Sequence, residues 1–131
     1  MADALVDTVM IGGPRTYVVH YTNISDGTGL NKEVILDLSA LPRLPGTNSV
    51  PTKAAIQEIQ WNMQGFTDLV VEWDHTTDEV AALLNGNGYK DYSPFGNLVS
   101  ANSGGTGDVL LTTVGAANGS TFDLTIVFIL S

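Results

Sequence analysis

A chain of 131 residues has the size of one domain and buries roughly two-thirds of its unfolded surface, so its core needs no disulfide or metal. Cysteine is absent, which excludes a disulfide framework, thiolate metal ligands and cysteine catalysis together. Fourteen acids against five bases leave a formal charge of -9, which argues against a nucleic-acid surface and favours solubility or a basic partner.

Charged residues make up 15% of the chain, below the roughly 25% of an ordinary soluble protein, which is the composition of a surface partly covered by other subunits. No apolar run is long enough for a membrane-spanning helix. The start, Met1 to Asp7, carries acids where a signal peptide needs bases and then an apolar stretch. The expected place of the product is therefore the cytoplasm in which it is made, unless a larger assembly carries it out.

In chain order, Ala4–Met10 reads as a short strand and Arg15–Thr22 as a stronger one, with Tyr17, Val19 and Tyr21 opposite Val18 and His20. Asn23–Gly29 is a turn cluster in which Asp26-Gly27 predicts a hairpin. Lys32–Leu38 follows as a strand with Val34 and Leu36 on one face. Leu41–Pro51 holds three prolines and reads as a loop, because proline cannot donate to a ladder.

Ala54–Trp73 predicts two strands joined by a tight turn at Gln64-Gly65-Phe66. Ile59, Trp61 and Met63 alternate with polar residues in the first strand, as do Leu69, Val71 and Trp73 in the second. Lys53–Gln60 also suits a turn of helix, but the alternation running on to Met63 favours strand. Asp74–Asn85 predicts the one helix of the chain, of at most two turns, with Thr77 as cap and Gly86 as stop. Gly86–Gly107 reads as a long polar loop with an aromatic knot at Tyr89, Tyr92, Pro94 and Phe95. Asp108–Val114 and Thr121–Leu130 are strands separated by a turn.

These elements predict an all-β fold: a single β-sandwich of jelly-roll or immunoglobulin-like type over 1–131, with seven to nine short antiparallel strands and at most one short helix. Val18, Val70, Val127 and Ile129 fall on nominally polar faces, and in a charge-poor chain they predict a subunit interface.

Catalytic apparatus is hard to assemble from these residues. His20 and His75 are the only histidines, and Asp74-His75 with Asp78 is the single cluster that resembles a site. Neighbouring residues on a strand point to opposite faces, so a polar turn is the simpler reading. Asp26-Gly27-Thr28-Gly29 and Gly104-Gly105-Thr106-Gly107 lack the lysine and following helix of a phosphate loop and read as turns. Trp61 and Trp73 alternate inward and are expected in the core rather than as stacking platforms. The sequons at Asn23 and Asn118 lack an export signal and carry no weight. No catalytic residue, metal ligand or cofactor site is expected, and the chain is read as a non-enzyme.

Several phrases together resemble a known group: GPRTYVVHYTNISDGTG near the start, EIQWNMQGFTDLVVEWDHTTD in the middle, and DYSPFGNL with GGTGDVLLTTVG near the end. In this order, over about Gly13 to Leu130, they resemble a family of small cysteine-free proteins encoded among the structural genes of tailed bacteriophages. The resemblance implies a virion structural protein and suggests a capsid decoration (cement) protein: a homo-oligomer, as a trimer, on the outside of the shell. Its partner would be the major capsid protein, with neither nucleic acid nor membrane. It implies that Tyr89, Tyr92 and Phe95, with Leu44 and Pro45 of the proline loop, contact the capsid or a neighbouring subunit. The same features leave open a tail, baseplate or fibre-associated β module, and a host-surface carbohydrate-binding module.

Overall fold

The computed structural model describes residues 5–12, 16–38, 41, 51, 53–74, 78–99 and 108–130. Nine strands lie among them: β1 Leu5–Gly12, β2 Thr16–Asp26, β3 Glu33–Leu36, β4 Ala54–Gln64, β5 Asp68–Trp73, β6 Glu79–Leu84, β7 Asn87–Asp91, β8 Val109–Val114 and β9 Asn118–Leu130. A single 3-10 turn, Ser93–Phe95, accompanies them, and the described residues contain no α-helix.

The strands form two antiparallel sheets, ordered β1-β2-β9-β4-β7 and β3-β8-β5-β6. The partners nest: β5 pairs with β6, β4 with β7, β3 with β8 and β2 with β9. One long antiparallel ribbon is thus folded over so that its successive pairs fall in alternate sheets. That is the wrap of a jelly roll, the first of the two sandwich forms the sequence left open. β1 lies outside the ribbon, as an edge strand on β2.

Alternation supplies the core. Tyr21, Ile59, Leu124, Ile126 and Phe128 of the first sheet face Leu69, Val71, Trp73 and Leu111 of the second, and all are buried. The two layers are also joined by a polar contact, because the buried Tyr21 hydroxyl donates to the Ile35 carbonyl across the sandwich at 2.7 Å. Phe66 closes one end by meeting the Phe122 ring edge-on, at a centroid distance of 5.7 Å. Trp73 is in the core as expected. Trp61 is half-buried against it, with its indole N–H donating to the Asn85 carbonyl at 2.9 Å.

Four sequence expectations are overturned. Within the predicted helix over Asp74–Asn85, residues Glu79–Leu84 form the strand β6, which pairs with β5 and buries Ala82 and Leu84. Helix propensity in its Ala-Leu run yields to the ladder and to burial, and the register shift opposite Val71/Glu72 hides the period of two from inspection. The strand β7 occupies Asn87–Asp91, where a loop was predicted.

The turns at Asp26-Gly27 and Gln64-Gly65-Phe66 are not hairpins either. Each carries the chain from one sheet to the other. The inward residues of β4 and β5 therefore face each other across the core instead of sharing one face. Gly65 and Gly115 mark two such crossings, with φ of 89° and 76°. A Cβ on Gly65 would lie 2.4 Å from the Ser120 hydroxyl, and one on Gly115 2.4 Å from the Thr67 hydroxyl. Only glycine lets the two crossings sit this close to their neighbours.

In β3 the expected facing of Val34 is also reversed. Ile35 and Leu36 are buried and Val34 is exposed, with a register shift between Val34 and Leu36.

Candidate interaction surfaces

The core uses the inward side chains of both sheets, so chemistry and recognition fall to the outward faces and the ends. On the first sheet, Val18 pairs with Val127, and Thr16 with Ile129, which lies beside Ala55 of β4. Val18 is 8% exposed although it lies outside the core cluster, because its outward neighbours cover it. Val127 and Ile129 are half-buried. Further along the same face His20 Nε2 lies 2.6 Å from Asp123 Oδ1, opposite Thr125 in the ladder. The predicted interface residues on this sheet thus form one small apolar patch with a polar continuation.

Val70 does not belong to that patch. It is on the outer face of the second sheet, where the ladders align Val34, Leu110, Glu72 and Val80 in one row across all four strands. Thr112, Val70 and Leu83 form the next row. Leu110 is buried, while Val34, Val80 and Leu83 are 50%, 53% and 67% exposed.

Charge enters this face in a compact set. Lys32 Nζ donates to Asp78 at 2.5 Å and to Glu72 at 3.4 Å, and Glu72 also accepts from the Thr112 hydroxyl at 3.2 Å. The bond to Asp78, with the Glu72 charge beside it, holds the Lys32 ammonium pKa above its ordinary value. Glu72 is a buried carboxylate among aliphatic side chains, and it is tolerated there because it is paired. Reading Asp74–Asn85 as a helix hid Val80 and Leu83. Reading Val34 as inward hid the third exposed residue.

The third surface is the segment after β7. Tyr92 donates its backbone N–H to Gln57 at 2.8 Å, and Leu98 and Ile56 exchange backbone bonds at 2.8 and 2.9 Å. Asp91 accepts from the Ser93 N–H and hydroxyl at 2.9 and 2.7 Å, which holds its carboxyl below the ordinary aspartate range. Gly96 and Asn97 turn the chain back with φ of 81° and 69°, and Asn97 donates to the Tyr92 carbonyl. The turn is therefore clamped to β4 at both ends. Its aromatics divide: Tyr92 packs on the core, whereas Phe95 is 82% exposed at the tip. Tyr89, also exposed, donates to Glu58, and that bond, with a smaller contribution from burial, pushes its phenol pKa up to about 12. Leu44 and Pro45, the other predicted contacts, lie outside the described residues.

The residues singled out for chemistry are spent on structure. Asp78 is held by Lys32, and the Asp74 N–H donates to the Asp108 carbonyl, while His75 lies outside the described residues. In the Asp26-Gly27-Thr28-Gly29 segment the Asp26 carboxylate accepts from the Thr28 N–H at 3.0 Å, the bonding of a turn. The Gly104–Gly107 segment lies outside the described residues. Among the described residues no three histidine or carboxylate side chains group as metal ligands, and no helix is long and apolar enough to cross a membrane. No family model matches the chain, and comparison with curated proteins and with solved structures found no match.

Proposed function

We propose that this chain is a bacteriophage virion structural protein that decorates the outside of the assembled capsid and stabilises it. The observation that carries the reading is the exposure of large aliphatic and aromatic side chains on the outside of the sandwich, at Val34, Val80, Leu83 and Phe95, in a chain only 15% charged. Large apolar side chains exposed in this way, three on one sheet face and one on a braced turn, mark contact with another macromolecule. The resemblance of its phrases to those of phage structural proteins suggests the setting, and the jelly roll supplies a stiff scaffold on which such contacts are presented.

In this role the protein acts by linkage. Binding the assembled shell and not its separated subunits lowers the free energy of the shell, by about 2.7 kcal/mol per site when the free protein is at a hundred times its dissociation constant. Oligomerisation would join several weak footholds into one durable attachment. The braced turn carrying Phe95 is the foothold best suited to a pocket on the major capsid protein, because its shape is set before contact.

The test is co-sedimentation of the purified chain with expanded shells that lack it. Saturable binding, with a higher melting temperature of the shells, supports decoration. Absence of binding to shells combined with binding to tails or to a glycan array would replace it.

A further inference from the structure

We propose that Asn85 is a site of self-modification, losing its side-chain amide to attack by the Gly86 backbone nitrogen and leaving aspartate and isoaspartate at the crossing from β6 to β7. Asn-Gly occurs three times in the chain, at Asn85-Gly86, Asn87-Gly88 and Asn118-Gly119. In each pair glycine has no Cβ to hinder the approach of its nitrogen to the asparagine Cγ. The glycine nitrogen gives up its proton and bonds to Cγ, the amide nitrogen departs as ammonia, and a five-membered succinimide results. Water then opens that ring at either carbonyl, giving aspartate or isoaspartate. The balance is one amide and one water to one carboxylate and ammonium, with no change of oxidation state.

The fold separates three pairs that the sequence makes alike. Asn87-Gly88 lies in the β7–β4 ladder opposite Asn62 and Trp61, and a Cβ on Gly88 would come within 2.7 Å of the Trp61 ring. Asn118-Gly119 lies in a turn closed by the Ser120 N–H on the Ala117 carbonyl at 2.9 Å and by the Ala117 N–H on the Ser120 hydroxyl at 3.2 Å. Asn118 also stands opposite Asp26 in the ladder. Rotation that brings nitrogen to Cγ must first open these contacts. Asn85-Gly86 is instead the two-residue crossing between the sheets, exposed at both residues, with Gly86 at φ of 63° and open space where its Cβ would be. Its two bonds, from the Trp61 indole at 2.9 Å and the Met63 N–H at 3.0 Å, are accepted by the Asn85 and Gly86 carbonyls, and neither engages the attacking nitrogen. The Asn85 carbonyl belongs to the same peptide as the Gly86 N–H. The Trp61 bond therefore draws electron density from that peptide and stabilises the negative charge left when the nitrogen loses its proton.

Isoaspartate runs the main chain through the side-chain carbon, so it lengthens a crossing that is only two residues long. Downstream lies β7, an edge strand held by β4 alone, and then the turn that carries Phe95. Modification is expected to loosen this edge of the first sheet, and each event adds a negative charge to a chain already at -9. The inference goes beyond the decoration reading and does not depend on it.

The test is incubation of the whole folded chain in mildly alkaline buffer, with released ammonia measured and tandem mass spectrometry assigning each event to its asparagine. Asn85 is expected to convert at least about tenfold faster than Asn87 or Asn118, the difference being the local opening that the other two require. In concentrated urea the three rates are expected to converge, because the dipeptide is the same. Asn85→Gln, whose longer side chain would have to close a six-membered ring, is expected to remove the early release of ammonia. Conversion of Asn87 or Asn118 ahead of Asn85 in the folded chain overturns the proposal. So does an Asn85 that survives folded while the unfolded chain reacts, or an order of rates that urea leaves unchanged.

Discussion

Tyr21 is buried on β2 of the first sheet and sends its hydroxyl to a carbonyl of the second. Burial, and then the nearby Asp7 carboxylate, hold the phenol pKa above its ordinary value of about 10. Folding therefore favours the neutral form. Below about pH 10 both folded and unfolded chains keep the proton and the contribution is constant; above it the unfolded chain ionises first and stability falls. Tyr21→Phe is expected to cost about 1–3 kcal/mol at neutral pH, by leaving the buried Ile35 carbonyl unpaired. It is also expected to flatten part of the alkaline loss. Urea denaturation at neutral pH and at about pH 11 reads both effects. Phe95 is the opposite case, a large side chain that contributes little to the fold. Phe95→Ala should change stability by no more than about 0.5 kcal/mol while weakening shell binding about tenfold or more.

At the scale of elements, the sheet crossings and β6 make separate demands. Alanine at Gly65 would combine a left-handed backbone with a collision at Ser120, so Gly65→Ala is expected to cost about 1–3 kcal/mol in a thermal or urea melt. In β6, Leu84 is buried and Leu83 exposed, as neighbours on a strand are. Leu84→Ala should cost about 2–5 kcal/mol and Leu83→Ala less than about 0.5 kcal/mol in the monomer. Equal costs would contradict the strand. Local pattern made β2, β4, β5 and β9 legible, because each buries alternate side chains over much of its length, and β8 as a short apolar and β-branched run. It placed β3 but not its inward face, and it missed β6; register shifts interrupt the period in both. It also missed β7, whose Asn-Gly-Tyr-Lys-Asp is polar throughout and belongs to the sheet only through its pairing with β4.

At the scale of the whole molecule, stability rests on contacts between the ends of the chain. β9 pairs with β2 on one side and β4 on the other, and it joins two parts of the first sheet that do not otherwise touch in its strand order. Removing residues 118–130 is expected to abolish cooperative unfolding altogether. β1 is different. It pairs with β2 alone, and Val6 to Met10 are all exposed, so removing residues 1–12 should leave a folded jelly roll with a lower melting temperature. Circular dichroism melts of the two truncations distinguish a central strand from an edge strand.

The candidate surfaces follow the same division. Sequence periodicity picked out Val18, Val70, Val127 and Ile129 as outward, but it could not assign Val70 to one sheet and the others to its opposite. Nor could it show that Val18 is covered by its neighbours. The sequence by itself determined that the chain is a β-sandwich without cysteine chemistry, with acids in excess and a strongly alternating last strand. Composition and a two-residue period are local properties, readable without knowing what a strand packs against. Only the tertiary structure decided which turns cross between sheets, that Leu83 and Val34 face outward together, and that Lys32 pairs with both carboxylates beside them. A glycine turn suits a hairpin or a crossing equally well, and a face exists only once strands distant in sequence have paired.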